Sequence, residues 1–303
     1  INNIASVLDS TFSIPKLATG LILGFMLWLI ISGGIKRIAK IASKLVPFMA
    51  VIYFGGALVV VVENYQNIIP SFHSIFSQVF SGSAAAGGFL GASFAMSLKL
   101  GVARGLYSNE AGQGSSPIAH ASAKTEHSVE QGMVSILEPF IDTIVVCSVT
   151  ALVILSSGAW IEKYENTFER SSMAIFEGKY SESNTNDVEE LGKYILDARK
   201  FTNNTTAVKN FSGNLAIVKG EIQQADVTIF HNNSIAEDVT FYKNGDFFDG
   251  SLEILNGEIK DSSITVNGKS LIHSAELTSK AFGSGVLGKY GEYIVAIGLL
   301  LFA

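Results

Sequence analysis

A polar, glycine-rich stretch interrupts an apolar segment at residues 101–117, and it limits the possible folds more than any other feature. It reads GVARGLYSNEAGQGSSP and holds an arginine, a glutamate, an asparagine, four glycines and three serines. A charged side chain at bilayer depth costs roughly 2.5–3.5 kcal/mol on insertion scales, so it normally faces protein or a water-filled cavity. Interrupted helices of this kind mark the binding sites of secondary transporters. The stretch therefore predicts a broken membrane helix with a binding site at the break.

The composition divides the chain into an apolar and an acidic part. Hydrophobic residues make up 48% of the chain and charged residues only 16%, against about 25% in ordinary soluble domains. Residues 1–158 carry a net charge of +1 and residues 159–303 a net charge of −7. The acidity argues against a nucleic-acid partner. A single cysteine, Cys147, excludes a disulfide framework and a cysteine metal site.

The apolar segments predict a membrane body with an insertion. We expect spans at 17–34, 45–62, 87–123 (discontinuous) and 133–157. The predicted domains are a transmembrane core at 1–160, an acidic β-rich insertion at 161–272, and a short external helix with a truncated span at 273–303. Both ends look like cuts in a longer protein.

Loop charge predicts the orientation. Lys36, Arg37, Lys40 and Lys44 lie in a predicted loop after the first span, which should be cytoplasmic. Residues 63–86 contain no Lys or Arg and should be external; within them, an amphipathic helix is expected. Because the spans alternate, the insertion at 161–272 should be extracytoplasmic. We expect a multi-pass protein of the plasma (inner) membrane.

The second part of the insertion has the pattern of β-hairpins. Apolar and polar residues alternate at 227–230, 239–242, 252–255 and 263–266. Asn-Gly pairs, which favour two-residue hairpin turns, occur at 244–245, 256–257 and 267–268. These features predict a small antiparallel meander or sandwich, preceded at 161–200 by a helical or irregular segment.

The break itself supplies the candidate binding residues. The run Ser108-Asn109 followed by Gly112, Gly114 and Ser115 has the pattern of a helix end, an unwound turn and a new, serine-capped helix. Free N–H groups at the new helix suit a substrate carboxylate. Asn109 and the backbone carbonyls near Gly105 and Ser108 suit Na⁺ or the substrate ammonium group. The alternative is that the glycines only permit close helix packing.

Two carboxylates in the fourth span are candidates for ion coupling or gating. Glu138 and Asp142 are four residues apart and share one helix face. Pro139 between them frees a backbone carbonyl. Their expected roles are ion coupling, proton relay or hydrogen bonding to the unwound segment, and a purely structural role for Asp142 stays open. Thr143 beside them either binds or back-bonds to its own helix.

The remaining polar residues leave alternatives open. Arg104 and Glu110 are expected either to form an internal ion pair or to ring the cavity, and a purely structural pair and a gating role both stay open. His120 and His127 have too few neighbouring ligands for a metal site, so capping or solvated histidines are expected. The chain has no G-x-S-x-G elbow and no dinucleotide fingerprint, so we expect neither an enzyme nor a cofactor.

Several stretches of the apolar part resemble the alanine or glycine:cation symporter family. They are GVARGLYSNEAGQGSSPIAHASAKTEHSVEQG, LEPFIDTIVVCSVTALVILSSG, ISGGIKRIAKIASKLVPFMAVIYFGGALVVVVEN, and ELTSKAF with GEYIVAIGLLLFA. The resemblance covers about residues 1–160 and 275–303. It implies an all-α polytopic membrane protein with the LeuT-type inverted-repeat transporter fold, covering about core helices 3–8, to which the insertion adds a β-rich part. The first core helix of the family has no counterpart in this chain.

The resemblance also implies a function, which is sodium-coupled symport of alanine, glycine or similar small neutral amino acids by alternating access. The expected partners are the amino acid, Na⁺ as the coupling ion and the lipid bilayer. Two alternatives stay open. One is a membrane-anchored external binding or interaction module that works through the insertion, and the other is a proton-coupled amino-acid transporter that uses Glu138 and Asp142.

Overall fold

The computed structural model describes residues 2–81, 94–121, 123–198, 207–223 and 226–302. The chain divides into two compact units. The helical unit comprises Ile1–Ser74, Leu98–Ala159 and His273–Ala303, and the β unit comprises Ile75–Ser97 and Trp160–Ile272. The first seven residues of the predicted third span, and its residue 122, lie outside the described residues.

The fold-class prediction of an all-α polytopic protein of LeuT type is wrong for this chain. The structure is 60% helix and 18% strand. In the described ranges only two helices are long and apolar enough to cross a membrane, Gly34–Glu63 and Ser128–Ser157, each of 30 residues. The physical reason is twofold: the insertion forms sheets, and the first apolar segment yields a helix of only 16 residues, Lys16–Ile31.

The helices of the apolar part follow the chain in order. They are α1 Asn2–Phe12, α2 Lys16–Ile31, α3 Gly34–Glu63, α4 Ile68–Ser81, α5 Phe94–Ser108, α6 Ser115–His120, α7 Ser128–Ser135, α8 Leu137–Pro139 and α9 Cys147–Ser157. A π-helical segment, Phe140–Val146, joins α8 to α9, so the chain is helical from residue 128 to residue 157 with one turn-like residue at 136. We call this run of residues helix 128–157.

The basic stretch at residues 36–44 is helical, not the predicted loop. It forms the first part of α3, which continues through Pro47 to Glu63. Lysine, arginine and alanine are among the better helix formers, so nothing in this stretch ends a helix. The four basic side chains therefore extend one end of a long apolar helix.

After the β unit the chain forms α11, Ser274–Gly283, and α12, Lys289–Phe302. The core of the helical unit lies where α1, α2 and α12 meet. Val7 and Leu23 are buried there against Ala296. The Ile294 side chain of α12 packs directly on Gly56 of α3: a Cβ added at Gly56 would lie 3.0 Å from the Ile294 Cδ1 methyl. Tyr53 of α3 also shares a hydrogen bond of 2.6 Å with Thr150 of α9. These contacts hold α3 against α9. Helix α9 directly follows the π-helical segment, which carries candidate site residues.

The β unit is built from antiparallel hairpins. Its strands are β1 Tyr164–Thr167, β2 Met173–Glu177, β3 Gly213–Val218, β4 Glu221–Ile222, β5 Val227–His231, β6 Ser234–Ile235, β7 Glu237–Lys243, β8 Asp246–Phe247, β9 Gly250–Leu255, β10 Glu258–Ile259 and β11 Ile264–Ser270. In the described residues these strands form three sheets, with the orders β1-β11-β7-β8, β10-β9-β3-β4 and β2-β5-β6. Helix α10, Thr185–Ala198, lies between β2 and β3.

The hairpin turns follow the predicted chemistry at two of the three Asn-Gly pairs. Asn244-Gly245 and Asn256-Gly257 have positive φ at both residues and join paired strands, as a type I′ turn requires. The third pair is not a turn: Asn267 lies inside β11, where the register against β7 shifts. Here the strand continues because its neighbours on both sides, β1 and β7, pair with it.

The alternation in the β unit places apolar side chains inside. Phe241 and Ile175 are fully buried at the centre of its main cluster. A second cluster holds Leu191 of α10 against Phe176 and Phe230. The β unit therefore has its own hydrophobic interior.

We predict that Phe241→Ala destabilises the β unit by about 3–5 kcal/mol, because the substitution leaves a cavity in its core. The matched control is Phe247→Ala in the same hairpin, whose side chain is 58% exposed and whose loss should cost under about 1 kcal/mol. Hydrogen–deuterium exchange of the strand amides in the whole protein measures both. Equal protection in the two variants would contradict the assigned core.

The turn between α5 and α6 depends on glycine. Gly112 and Gly114 both have φ of +79°, a conformation that costs other residues roughly 1–2 kcal/mol. Space is not the constraint at Gly112, since a Cβ added there would meet nothing within 4 Å.

We therefore predict that Gly112→Ala destabilises the turn by about 1–2 kcal/mol. Gly132→Ala is the control, because Gly132 is helical within α7 and also has open space around its Cα; that change should be neutral or stabilising by up to about 1 kcal/mol. Thermal unfolding in detergent and amide exchange over residues 105–120 separate the two. Similar losses in both variants would show that side-chain bulk, not φ, decides.

Candidate functional site

Helix α5 ends in a complete Schellman motif, which forms the first half of the break. The N–H of Ala111 donates to the carbonyl of Leu106 at 3.0 Å, and the N–H of Glu110 donates to Tyr107 at 3.1 Å. Glycine is the usual residue at the left-handed position of this motif, but here it is Glu110, with φ of +50°. Strain of this kind is concentrated at functional sites, so Glu110 is a stronger candidate than its charge alone suggests.

The end of α5 is tied to the π-helical segment of helix 128–157 by two side-chain hydrogen bonds. Ser108 Oγ donates to Asp142 Oδ2. Thr143 Oγ1 donates to Asn109 Oδ1 at 3.0 Å. The wide turn that presents these groups is closed by the N–H of Cys147 on the carbonyl of Asp142, five residues back. Single π turns inside α-helices are frequent at functional sites.

The side chain of Asn109 is held at both ends. Its Nδ2 donates to the carbonyl of Gly105 at 2.8 Å, and the backbone N–H of Asn109 donates to the same oxygen at 3.1 Å. Both lone pairs of that carbonyl are thus used, while Asn109 Oδ1 keeps one lone pair beyond the bond from Thr143. Asn109 Oδ1 is thus the less occupied of the two acceptors.

The start of α6 is held differently from the prediction. Gly114 is its N-cap residue, with no side-chain cap, so the predicted serine caps are wrong. Ser115 Oγ instead donates to Glu110 Oε2 across the turn. The predicted partner of Glu110 was Arg104; in the part of the chain that the structure describes, Ser115 takes that place.

The second carboxylate of helix 128–157 holds α6. Glu138 Oε2 accepts a hydrogen bond from Ser116 Oγ at 3.0 Å and lies 3.2 Å from His120 Nε2. Gln131 Nε2 lies 2.6 Å from His120 Nδ1. Ser116 and Gln131 were not among the candidates, and His120, expected to be a capping or solvated histidine, instead lies against Glu138 and Gln131. The spacing of four between Ser116 and His120, which places both on one helix face, is a signal that could have identified these two residues.

The predicted residues thus group around one helix. Asp142 and Thr143 hold the end of α5, and Glu138 holds α6. The turn between α5 and α6 carries Asn109, Gly112, Gly114 and Ser115, whose polar groups are hydroxyl, carboxamide and backbone amide groups. No side chain lies over Gly112 or Gly114, since a Cβ added at either would meet nothing within 4 Å. In the described ranges no group of three or more His, Cys, Asp or Glu side chains forms a metal site. The arrangement brings hydroxyl, carboxamide and carboxylate groups together at an unwound turn.

Comparison with known proteins agrees with the resemblance noted in the sequence. The chain is 45% identical over 157 residues to the sodium/alanine symporter AgcS of Methanococcus maripaludis, which covers 52% of this chain and 34% of that protein. It is 39% identical over 168 residues to the sodium/proton-dependent alanine carrier protein of Bacillus sp. (strain PS3), covering 55% and 37%. It is 41% identical over 159 residues to the probable sodium/glutamine symporter GlnT of Bacillus subtilis, covering 52% and 32%.

The chain spans about a third of the length of the curated relatives it matches. The profile of the sodium:alanine symporter family matches residues 1–186, which include both helices that are long and apolar enough to cross a membrane, as well as the break between α5 and α6. This is a family of membrane transporters, not of enzymes. The predicted family is confirmed: the chain belongs to the sodium:alanine symporter family.

Proposed function

We propose that the protein carries small neutral amino acids, alanine first among them, across the membrane together with Na⁺ by alternating access. One observation carries the proposal: the broken segment between α5 and α6 is held at both ends by carboxylates of helix 128–157, and Asn109, its first residue, is bonded to Thr143 of the same helix. At membrane depth, such a break offers polar backbone and side-chain groups to a ligand inside the protein and away from its aqueous surface.

The names of the relatives support this proposal and widen it. One is a sodium/alanine symporter, another a sodium/proton-dependent alanine carrier, and a third a probable sodium/glutamine symporter. Alanine is therefore the first substrate to test, with glycine and glutamine as competitors and H⁺ as the alternative coupling ion. Because the chain spans only part of these proteins, the pocket would be completed by the rest of the transporter.

The proposed substrate contacts are the groups of the break. Ser108, Asn109, Gly112, Gly114 and Ser115 would bind the amino acid, the glycines by letting it approach the backbone. Unwound carbonyls and half-helix ends are the ligands that transporters offer to Na⁺ and to carboxylates.

Na⁺ would bind Asn109 Oδ1 with the carbonyls near Gly105 and Ser108. The Gly105 carbonyl already accepts two hydrogen bonds from Asn109. Its use by Na⁺ would therefore require the Asn109 side chain to turn. This links ion binding to the conformation of the break.

The coupling and gating residues in this proposal surround the break. Asp142 and Thr143 hold the α5 end, Glu138 holds α6, and Glu110 spans the turn to Ser115. Arg104, one turn before Ser108 in α5, is also a gating candidate. In the part of the chain that the structure describes, Glu110 is bonded to Ser115 and not to Arg104. We further propose a multi-pass membrane protein, with residues 161–272 on the extracytoplasmic side.

We predict that Asn109→Ala in the full-length protein lowers Na⁺-driven alanine uptake to near background, a loss of roughly 10- to 100-fold, because it removes a hydrogen-bonded contact to a charged ligand. Uptake into liposomes with and without a Na⁺ gradient measures this. Gln113→Ala, in the same turn, is the matched control: the backbone N–H of Gln113 donates to the carbonyl of Glu110, a bond that the substitution keeps, so uptake should be kept.

Unchanged uptake in Asn109→Ala, at equal expression, would disprove the site. Uptake that responds to a proton gradient and not to Na⁺ would replace Na⁺ with H⁺ as the coupling ion. Competition by unlabelled glycine or glutamine sets the substrate range.

A second candidate function belongs to the β unit. It has its own core and extends beyond residue 186, where the family match ends. Three large apolar side chains at its strand ends and hairpins, Val218, Phe247 and Leu255, are at least 50% exposed. These features favour an external binding or interaction module.

The two candidates differ in what removal of the β unit does. Tyr164 pairs with Ser270 across β1 and β11, so replacing residues 165–269 by Asn-Gly should leave a short hairpin. We predict that uptake stays within about twofold of the unaltered protein, since excision where chain ends meet is well tolerated. Loss of uptake with intact expression would make the β unit part of the transport machinery.

A further inference from the structure

The β unit contains an internal repeat. Residues 211–222 read FSGNLAIVKGEI and residues 248–259 read FDGSLEILNGEI, so that Phe, Gly, Leu, Ile and the final Gly-Glu-Ile recur at the same places. Each copy forms a strand and a short return strand, β3 and β4 in the first and β9 and β10 in the second. The β unit is therefore built from two related halves.

Backbone hydrogen bonds relate the two halves by a local twofold axis. Strand β3 pairs with β9 so that the leucines of the two copies lie opposite each other. The N–H of Gly220, at the hairpin tip of the first copy, donates to the carbonyl of Phe248 at 2.9 Å. In the same way, the N–H of Gly257 in the second copy donates to the carbonyl of Phe211 at 2.8 Å. Each copy thus binds the first residue of the other.

The carbonyls of the two hairpin-tip glycines extend this relation to the neighbouring strands. The carbonyl in the second copy accepts from the N–H of Ile175 in β2 at 3.0 Å, and the carbonyl in the first copy accepts from that of Phe241 in β7 at 2.8 Å. Ile175 and Phe241 are therefore equivalent, and so are the next residues along, Phe176 and Tyr242. The strand pair β2 and β5 is the counterpart of the pair β7 and β11.

The outer faces of these two strand pairs differ. In the first half, α10 packs on this face and buries Phe176 and Phe230. The second half has no counterpart of α10 between β7 and β8, which are joined directly by the turn at 244–245. The residues equivalent to the two phenylalanines are Tyr242 and Asn267. The exchange of phenylalanine for polar side chains indicates that the second face contacts water or a polar ligand.

Phe247 shows the opposite exchange. It is 58% exposed, whereas the equivalent residue of the first half is Asn210, which pairs with Phe176 as Phe247 pairs with Tyr242. The ring of Phe247 stacks on Tyr242 with the centroids 5.1 Å apart. Adaptation to water does not explain an exposed aromatic ring where the related half has an amide. The ring therefore points to a bound ligand on this face.

Side chains that can bind a ligand form two rows across this face. The first row consists of Thr167, Asn267 and Thr240 on β1, β11 and β7. The second row consists of Thr265, Tyr242 and Phe247 on β11, β7 and β8. The rows lie about 7 Å apart, since they are two residues apart along a strand. Among the described residues, Asn267 Oδ1 is buried without a hydrogen-bond partner, and because the side chain is only partly buried, a small rotation gives it to a ligand.

The charged side chains at the margin of this face are compensated. Lys269 lies 2.7 Å from Asp238 and opposite Glu165 on the neighbouring strand. Lys243 lies 2.9 Å from Asp261. The two rows themselves are neutral, although residues 159–303 as a whole carry a net charge of −7. A neutral face in an acidic part of the chain suits an uncharged ligand.

We propose that the outer face of the sheet β1-β11-β7-β8 binds a neutral carbohydrate chain, with Phe247 and Tyr242 as the stacking platform. One face of a sugar ring presents C–H groups, which pack on the electron-rich face of an aromatic ring. Its hydroxyl groups donate and accept hydrogen bonds, as threonine and asparagine side chains do. The proposal gives a ligand class to the second candidate function, on which it rests, and it is independent of transport.

The test measures binding of uncharged oligosaccharides to the full-length protein in phosphatidylcholine nanodiscs, which contain no sugar. The probes are the hexamers of glucose and of N-acetylglucosamine, followed by saturation-transfer nuclear magnetic resonance. At least one should bind with a Kd of about 1 mM or tighter. Phe247→Ala should weaken this binding about tenfold or more, because it removes the stacking ring.

The matched control is Leu255→Ala, whose side chain is 55% exposed on another sheet of the β unit. This variant should bind the hexamer as the unaltered protein does. Hydrogen–deuterium exchange of the strand amides shows whether both variants keep the fold, as expected for exposed side chains.

Three results would overturn the proposal. The first is no binding of either hexamer, which leaves a protein as the partner of an external module. The second is binding that persists in Phe247→Ala, or after residues 165–269 are replaced by Asn-Gly. The third is tighter binding of the cationic glucosamine hexamer than of the neutral ones, since the acidity of the chain would then decide. Because the readout is binding, a failure of Na⁺-driven uptake contradicts the transport proposal alone.

Discussion

Helix 128–157 carries the two carboxylates on which the conformation of the break depends. Glu138 and Asp142 are one turn apart; Asp142 accepts from the last residue of α5, and Glu138 accepts from α6. Between α5 and α6 the backbone passes through three residues with positive φ, Glu110, Gly112 and Gly114. This turn does not by itself hold the two helix ends at a fixed distance. The spacing of the carboxylates on one helix therefore sets the distance between the two helix ends.

The strength of this arrangement depends on its surroundings. A hydrogen bond to a charged group contributes about 1.5–3 kcal/mol, and the same bond is stronger where water is excluded. In the bilayer, the bonds from Ser108 and Ser116 would act at the upper end of this range. A ligand that competes for Asn109 or for the hydroxyls of Ser108 and Ser116 would have to offset part of this free energy. The arrangement is thus both a support for the break and a barrier to its rearrangement.

The position of the break was readable from the sequence, and hydrogen bonding of Glu138 and Asp142 to it was one of their expected roles, but the individual donors were not predicted. Glycines and serines in an apolar segment identify where a helix cannot continue. The bonds that hold the break join residues 22 and 34 positions apart, and residue type does not specify which donor meets which carboxylate. That is why Arg104 was paired with Glu110, where the structure has Ser115. The π turn and the left-handed Glu110 also leave no pattern in the sequence.

The fold as a whole was predictable only in its local parts. All four predicted strand segments overlap strands of the structure, because alternation reports a half-buried strand directly. The hairpin turn predicted at the Asn-Gly pair 267–268 is wrong, because strand pairing on both sides of β11 outweighs the turn preference of this pair. The strands β1 and β2 lie in a segment expected to be helical or irregular. The overall fold class failed because the sheets of the insertion are a large part of this chain.

The pairing of β1 with β11 also bears on the order in which the chain acquires its structure. Asn166 and Ser270, which are hydrogen-bonded, are separated by 104 residues. Contacts that close so long a loop form late, because the loop entropy is lost before they contribute. During synthesis, this seam cannot close until Ser270 has left the ribosome, whereas α3 and α9 can already meet. The membrane helices before the insertion would thus be assembled while the insertion is still an open chain.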